Sequence, residues 1–168
     1  MKSLCANGDG SGVLAGMTLA PVVLRTAGPA DLAAVLPLAV AFYAEDGFGT
    51  GEHTLRGNLS VLLASPAARV AVVQSGAELL GFAATTTTFG LEYGLVAELE
   101  DLFVVPTARH HGLGGRLIAD SVAWAREQGC QRLEVIVAPN GHDVGHLFDY
   151  YLAHEFVDEG RRLIGRPL

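Results

Sequence analysis

The stretch from Leu99 to Leu117 constrains the fold of this 168-residue chain more than any other. Apolar residues typical of a strand end at Pro106, and Gly112, Gly114 and Gly115 stand where a helix begins. Glycine lets the backbone approach a ligand closely, and the first amides of a helix lack intrahelical partners and carry positive potential. A strand, a glycine-rich turn and a helix in this order predict an α/β fold with a phosphate or diphosphate site at the start of the helix.

Two other glycine-rich phosphate motifs do not fit this stretch. A P-loop requires Gly-Lys-Ser/Thr, whereas Arg116 follows Gly115. A dinucleotide-binding fingerprint requires a third spaced glycine, which Gly112–Leu117 lacks. A helix start made of glycines only for tight packing stays open as an alternative.

Hydrophobic periodicity predicts the element order β-α-α-β-β-β-α-β-α-β. The predicted strands cover 22–25, 70–73, 79–88, 96–105, 133–137 and, as a strand or hairpin, 156–167; the predicted helices cover 29–42, 54–64, 113–128 and 144–154. Hairpins in the middle and a strand-helix-strand unit after them imply a mixed sheet with helices on both faces.

Composition and charge limit the possible partners. We expect a flexible leader over 1–20, which contains the linker-like run NGDGSG, and a single domain over 21–168. The net charge of −7 disfavours nucleic acid, whose phosphates require Lys and Arg, and favours cationic partners. No apolar run is long enough for a membrane span, and the two cysteines lack ligand spacing, so we expect a cytoplasmic protein.

Two motifs carry a family resemblance. The run Arg109-His110-His111-Gly112-Leu113-Gly114 fits Arg/Gln-x-x-Gly-x-Gly/Ala, and Tyr150–Phe156 is similar to Phe-Tyr-x-x-x-Gly-Phe. On these motifs the chain resembles the GNAT acetyltransferases over about residues 22–168. The resemblance implies a GNAT-like α/β fold whose central mixed, mostly antiparallel sheet is flanked by about four helices. It also implies acetyl-CoA as co-substrate without a metal, direct N-acetylation of a primary amine, and a homodimer.

The resemblance assigns cofactor-binding roles to the central motif. Backbone groups of Phe103, Val104 and Val105 would pair with the pantetheine arm like an added strand. Asn140 is a further possible contact to the cofactor, and Arg109 and Arg116 could add positive charge near the phosphates. The diphosphate would lie on the amides of the loop and helix start, which are those of His110, His111, Gly112, Leu113, Gly114 and Gly115.

The resemblance also names catalytic candidates. Tyr151 would protonate the departing thiolate, although a packed aromatic is the alternative. Glu100 would accept the proton of the amine, while Glu98 would bind a cationic substrate or be only a strand-edge charge. A period of two places Glu98 and Glu100 on one face of the strand and Asp101 on the other.

The acceptor and the departures from the family are open questions at this stage. We expect 42–53 and 89–96 to flank the acceptor cleft, and their acidic residues, among them Glu92, predict a polyamine, an aminoglycoside or a Lys-like acceptor. Glu155 stands where the family uses a glycine with positive φ, so the helix could end differently here. His142 and His146 are spaced i, i+4 but have no third ligand. A non-catalytic acyl-CoA sensor or scaffold, and a structural module that binds no CoA, are the competing hypotheses.

Overall fold

A computed structural model describes residues 21–138 and 143–166, which form a five-stranded sheet with helices on both faces. The strands are β1 Val22–Thr26, β2 Ala68–Ser75, β3 Glu78–Gly90, β4 Gly94–Val104 and β5 Leu133–Val135; the helices are α1 Leu32–Glu45, α2 Glu52–Ala64, α3 Leu113–Glu127 and α4 Gly145–Leu152. The strands lie side by side in chain order, with three antiparallel pairings and a parallel pairing of β4 with β5. The predicted α/β class and the mixed, mostly antiparallel sheet are confirmed. The predicted leader 1–20, Asn140 and His142 lie outside the described residues.

Each face of the sheet has its own apolar core. Leu55, Leu59 and Leu63 are buried at a spacing of four, so one side of α2 packs with α1 against Phe82 and Phe103. On the other face, α3 packs on the sheet together with Tyr150 and Tyr151 of α4, and its buried residues include Leu113, Leu117 and Ile118. Burying such a leucine fully contributes about 1.5–3 kcal/mol, which fixes both helix layers to the sheet.

The strands β4 and β5 pair over only three residues and then part. Ala97, Glu98 and Leu99 lie opposite Leu133, Glu134 and Val135. Beyond Leu99, β4 continues to Val104 beside β3 alone. The strand predicted over 133–137 therefore ends at Val135. The two residues after Val135 do not pair with β4. The divergence opens a cleft at this edge of β4.

A β-bulge lies at the point where the strands part. Ala84 of β3 pairs with Asp101 and Thr85 pairs with Leu99, so Glu100 is an extra residue on β4. A bulge bends its strand and breaks the alternation of faces. The period-two expectation that Asp101 faces away from Glu98 and Glu100 was wrong for this reason.

The contacts of the three carboxylates show that they share one face. The Thr86 hydroxyl, opposite Glu98 in the register, donates a hydrogen bond of 2.7 Å to Oε1 of Glu100. The carboxylate of Asp101 accepts a hydrogen bond from Tyr43 on α1. Three acidic side chains therefore lie on the α1 face of β4, beside the cleft.

The predicted last strand over 156–167 does not form within the described residues. The run Asp158–Arg162 has no apolar residue to bury, and Leu163 and Ile164 are 77% and 91% exposed. Side chains hold this segment instead, because Arg132 pairs with Glu159 at 3.1 Å.

Among the helices that the structure describes, none combines the length and the apolar character needed to cross a bilayer.

Candidate active site

A cavity of about 910 Å³ lies where β4 and β5 diverge. Its walls come from the end of α1 and the loop after it, the second half of β4, the turn before α3, residues 135–138 and the first turns of α4. Ligand sites of this kind are commonly about 300–1,000 Å³. The cavity is large enough for a cofactor and an acceptor to meet.

The open edge of β4 offers backbone groups to this cavity. Val105 donates its amide to the carbonyl of Leu80 at 2.9 Å, so it points toward β3. Because the direction alternates along an antiparallel strand, Phe103 also points toward β3, while Leu102 and Val104 point into the cleft. Of the three residues that the sequence suggested for the pantetheine arm, only Val104 therefore has backbone groups that face the cleft, and Leu102 shares this direction.

The start of α3 has unpartnered amides. His110 and Gly112 have positive φ, 64° and 73°, and the first helical bond runs from the amide of Arg116 to the carbonyl of Gly112 at 3.1 Å. Within the described part of the chain, the amides of Leu113, Gly114 and Gly115 have no hydrogen-bond acceptor. Unpaired amides at a helix N-terminus suit an anion, which agrees with the diphosphate role expected for this loop.

Both arginines near the loop already have protein partners. Arg109 donates to the carbonyl of Val104 at 2.9 Å and pairs with Glu45 at 2.7 Å. Arg116 donates to the carbonyl of Val22 at 3.2 Å. Through these contacts Arg109 connects β4, the loop and the end of α1. The backbone amides are then the main hydrogen-bond donors available to an anion.

The glycines of α3 are also needed for packing against α4. A Cβ on Gly114 would collide with the hydroxyl of Tyr150, and one on Gly115 would lie 2.8 Å from Nε2 of His154. The ring of His154 is fixed by a contact of 2.8 Å between Nδ1 and the carbonyl of Tyr150. Tight packing and ligand access are thus both reasons for glycine at these positions.

Tyr151 lines the cavity at its α4 wall. Its ring packs edge-on against Phe156 at 5.3 Å, and burial, helped by the nearby Tyr150 and Asp46, raises the pKa of Tyr151 to about 12. The phenol is therefore protonated at neutral pH and can donate to a ligand in the cavity.

Glu155 ends α4 in the way expected of a glycine. Its φ is 67°, and the amide of Phe156 closes the helix on the carbonyl of Tyr151 at 3.2 Å. The aromatic pair Tyr151–Phe156 is held by this turn, although glutamate bears the strain of the left-handed conformation.

Asp101 is the acidic residue most deeply set in the cavity wall, and sequence reasoning did not select it. Burial, together with Glu100 and Asp46, raises the pKa of Asp101 to about 6, and the hydrogen bond from Tyr43 opposes that rise. The same burial and the Asp101 charge raise the pKa of Tyr43 to about 12. Glu100 also lines the cavity but is exposed.

The other two acidic candidates do not line the cavity. Glu98 is half-buried beside it, and burial, with Glu100 and Glu134 nearby, raises the pKa of its carboxyl. Glu92 lies in the turn before β4 and pairs with Arg161 at 2.7 Å. The turn 89–96 is at the opposite end of β4 from this cavity, so a role for it at the acceptor cleft stays a prediction that the cavity does not support.

No three His, Cys, Asp or Glu side chains lie close enough to hold a metal ion within residues 21–138 and 143–166.

Comparisons with known proteins identify a family and a fold. Residues 36–155 match the model of the Acetyltransferase (GNAT) family. A stretch of 75 residues is 41% identical to aminoglycoside N(6')-acetyltransferase type 1 of Klebsiella aerogenes and covers 43% of this chain. That stretch spans about half, 49%, of the length of this curated relative.

Solved structures agree over most of the chain. A protein from Arthrobacter sp. FB24 is 33% identical with a TM-score of 0.72, and the match covers 87% of this chain and 96% of that one. The integron cassette protein HFX_CASS3, from the mobile metagenome of Cole Harbour Salt Marsh, is 28% identical with a TM-score of 0.75, covering 86% and 90%. The aminoglycoside N-acetyltransferase AAC(6')-Iy, solved in complex with CoA, has a TM-score of 0.76 at 18% identity, covering 88% and 95%, and so shares the fold.

Proposed function

Because the chain belongs to the acetyltransferase (GNAT) family, we propose that it is an enzyme that moves an acetyl group from acetyl-CoA directly to a primary amine. The observation that carries this proposal is the meeting of three features in one cavity: the open edge of β4, the unpartnered amides of α3 and an acidic wall. A thioester cofactor and a cationic acceptor require different surroundings, and this cavity offers both.

Two backbone surfaces support the acyl-CoA role. The cleft-facing groups of Leu102 and the amide of Val104 would pair with the pantetheine arm as a neighbouring strand does, while the carbonyl of Val104 already accepts a hydrogen bond from Arg109. The amides of Leu113, Gly114 and Gly115 would hold the diphosphate. Together they fix the thioester beside the second half of β4, with Tyr151 on the opposite wall.

The charges on the other side of the cavity support a cationic acceptor. Asp46, Glu100 and Asp101 line it near the aromatic rings of Tyr43 and Phe48. Carboxylates and ring faces both attract ammonium groups, and acidic walls also raise the local concentration of cations. The aminoglycoside acetyltransferase named above is in keeping with this class, so we propose a polyamine or aminoglycoside acceptor.

The chemistry requires one group that accepts a proton and one that donates. An ammonium has no lone pair, so a carboxylate of the Glu100–Asp101 pair takes its proton. The neutral amine then attacks the thioester carbonyl, and the phenol of Tyr151 donates to the sulfur as the C–S bond breaks. This direct transfer needs no acyl-enzyme. Cys130, which follows the C-terminal end of α3, is a poor nucleophile because burial raises the pKa of its thiol.

A panel of amines with acetyl-CoA tests the proposal. Release of free thiol would be measured with an aminoglycoside, spermidine, an Nα-blocked lysine and a neutral aromatic amine. We expect turnover for the first two and the lowest kcat/KM for the neutral amine. A preference for neutral or acidic acceptors would contradict the cationic class.

The same panel separates the enzyme from a non-catalytic acyl-CoA sensor. A sensor would bind acetyl-CoA, detected by calorimetry, without thiol release above the uncatalysed rate for any amine. Such a result would refute the proposed transfer while preserving the cofactor site.

A further inference from the structure

We propose that Asp101, oriented by the hydroxyl of Tyr43, is the carboxylate that binds the acceptor's ammonium and takes its proton, a role that rests on the acetyl transfer proposed above. The inference moves this role from Glu100, which the sequence suggested, to its neighbour on β4.

The bulge explains how Asp101 reaches this position. Glu100 is the extra residue of β4, so Asp101 keeps the phase of Phe103 and points toward α1. There it lines the cavity together with Tyr43, which donates a hydrogen bond to its carboxylate. A carboxylate has two oxygens, so a hydrogen bond from Tyr43 leaves acceptor capacity for an ammonium.

Aromatic rings complete an ammonium site around Asp101. The ring of Tyr43 lies 5.0 Å from that of Phe48, and both rings line the cavity that Asp101 also lines. A ring face attracts a cation more strongly where water is reduced. This combination of a half-buried carboxylate with two rings fits an alkylammonium or amino-sugar ammonium.

Glu100 has a different environment. Its side chain is exposed, and one of its oxygens accepts the hydroxyl of Thr86 at 2.7 Å. Water screens an exposed carboxylate, so its attraction for a cation is weaker than that of a buried one at equal distance. Glu100 therefore supports the negative potential of the wall, and Asp101 makes the direct contact.

The titration of Asp101 agrees with its position. Burial, Glu100 on the same strand and Asp46 after α1 raise its pKa to about 6, against the hydrogen bond from Tyr43. The other polar lining residues nearby, Asn58 of α2 and Thr86 of β3, are neutral. A carboxylate with this pKa is ionised at pH 7 and holds a proton more readily than an ordinary aspartate.

The proton and electron balance of the step is complete. The ammonium gives one proton to Asp101, and the nitrogen lone pair forms the C–N bond at the thioester carbonyl. The C–S bond breaks with its electron pair on sulfur. The second proton of the nitrogen passes to that sulfur through the hydroxyl of Tyr151. Asp101 then releases its proton to water, which leaves the amide and the free thiol.

Matched variants of the neighbouring carboxylates test the assignment with the best amine of the panel. We expect Asp101→Asn to lower kcat by about 10²-fold and to abolish the inflection near pH 6 in kcat/KM. Glu100→Gln should lower kcat/KM by less than about tenfold and retain an inflection, moved to lower pH because the Glu100 charge helps to raise the pKa of Asp101. If Asp101→Asn kept the inflection, or Glu100→Gln removed it, the assignment to Asp101 would be overturned while acetyl transfer itself stood.

The variant Tyr43→Phe tests the positioning role. Removing the donor removes an interaction that lowers the pKa of Asp101, so the acidic inflection should move to higher pH with activity retained above it. An unmoved inflection would overturn the role of Tyr43. If the wild-type chain acetylated no amine at all, the proposed function would fail, and this inference with it.

Thermal unfolding distinguishes lost chemistry from lost structure. Burial raises the pKa of Asp101 in the folded state to about 6, above the unfolded value of about 4, so its ionisation lowers stability as the pH rises from about 4 to about 6 and the loss stays constant above that. Asp101→Asn should therefore unfold at a higher temperature than the wild type at pH 8, and the difference should vanish toward pH 4. A lower unfolding temperature at pH 8 would contradict the buried charge.

Discussion

Glu155 shows how a single residue can carry backbone strain beside a site. It has a φ of 67° in an exposed turn, and a non-glycine residue in this conformation costs about 1–2 kcal/mol. Glu155→Gly is therefore expected to raise the free energy of unfolding by about 1 kcal/mol, or the melting temperature by about 2–4 °C. Calorimetry would measure it.

Glu155→Ala is the matched control, because it removes the carboxylate and keeps the strain. It should give no such gain. An equal gain for both variants would assign the effect to charge and not to the backbone.

Tyr151 is the residue whose loss should affect chemistry and not binding. Its protonated phenol lines the cavity, and its pKa of about 12 keeps the proton available for donation. Tyr151→Phe is expected to lower kcat by about 10²-fold with acetyl-CoA affinity within about twofold of the wild type. Steady-state kinetics and calorimetry would separate these quantities.

Tyr150→Phe is the comparison for that variant, since the hydroxyl of Tyr150 lies against Gly114. A similar loss of kcat in both variants would indicate that aromatic packing, and not proton donation, matters on α4.

At the scale of elements, the contact between α3 and α4 sets the shape of the proposed anion site. A methyl group on Gly114 would collide with the hydroxyl of Tyr150. Gly114→Ala is expected to weaken acetyl-CoA binding by about tenfold, and Tyr150→Phe in the same chain should restore most of it. Calorimetric titration of the four proteins of this cycle measures the coupling. Additive losses would show that the hydroxyl is not the obstacle.

The elements differ in how well the sequence predicts them. The leucines of α2 repeat every four residues, and the glycine-rich start of α3 follows a strand ended by proline, so local patterns were sufficient for both. The last strand was predicted from scattered apolar residues, but the charged run Asp158–Arg162 cannot bury a face. The direction of the backbone groups of Leu102 depends on how β4 pairs with β3. Hydrophobic periodicity gives no information about this pairing.

The bulge of β4 left a weak signal in the sequence. Leu99 and Leu102 both pack on the α3 face although they are three positions apart, where a regular strand would need an even spacing. Asp101 was predicted to lie on the wrong face because this slip was read as regular alternation. A change in the phase of apolar residues within one strand is the pattern that would have revealed it.

For the whole molecule, ligand binding should be visible as global stabilisation. Acetyl-CoA at about one hundred times its dissociation constant is expected to raise the free energy of unfolding by about 2.7 kcal/mol, or the melting temperature by about 5–11 °C. Acetyl-pantetheine at the same concentration should give a much smaller shift, because it lacks the diphosphate that the α3 amides would hold. Equal shifts for both compounds would contradict the anion site.

The extra residue in β4, Glu100, belongs to the acidic wall and is not needed for the pairing of β4 with β3. The residues on either side of Glu100 pair with consecutive residues of β3. The packing of the two core layers therefore does not depend on Glu100. An in-frame loss of one codon there would straighten the strand, leave Leu99 and Phe103 in their layers, and alter only the acidic wall. We therefore expect a deletion of Glu100 to change the proposed acceptor wall with little loss of folding stability.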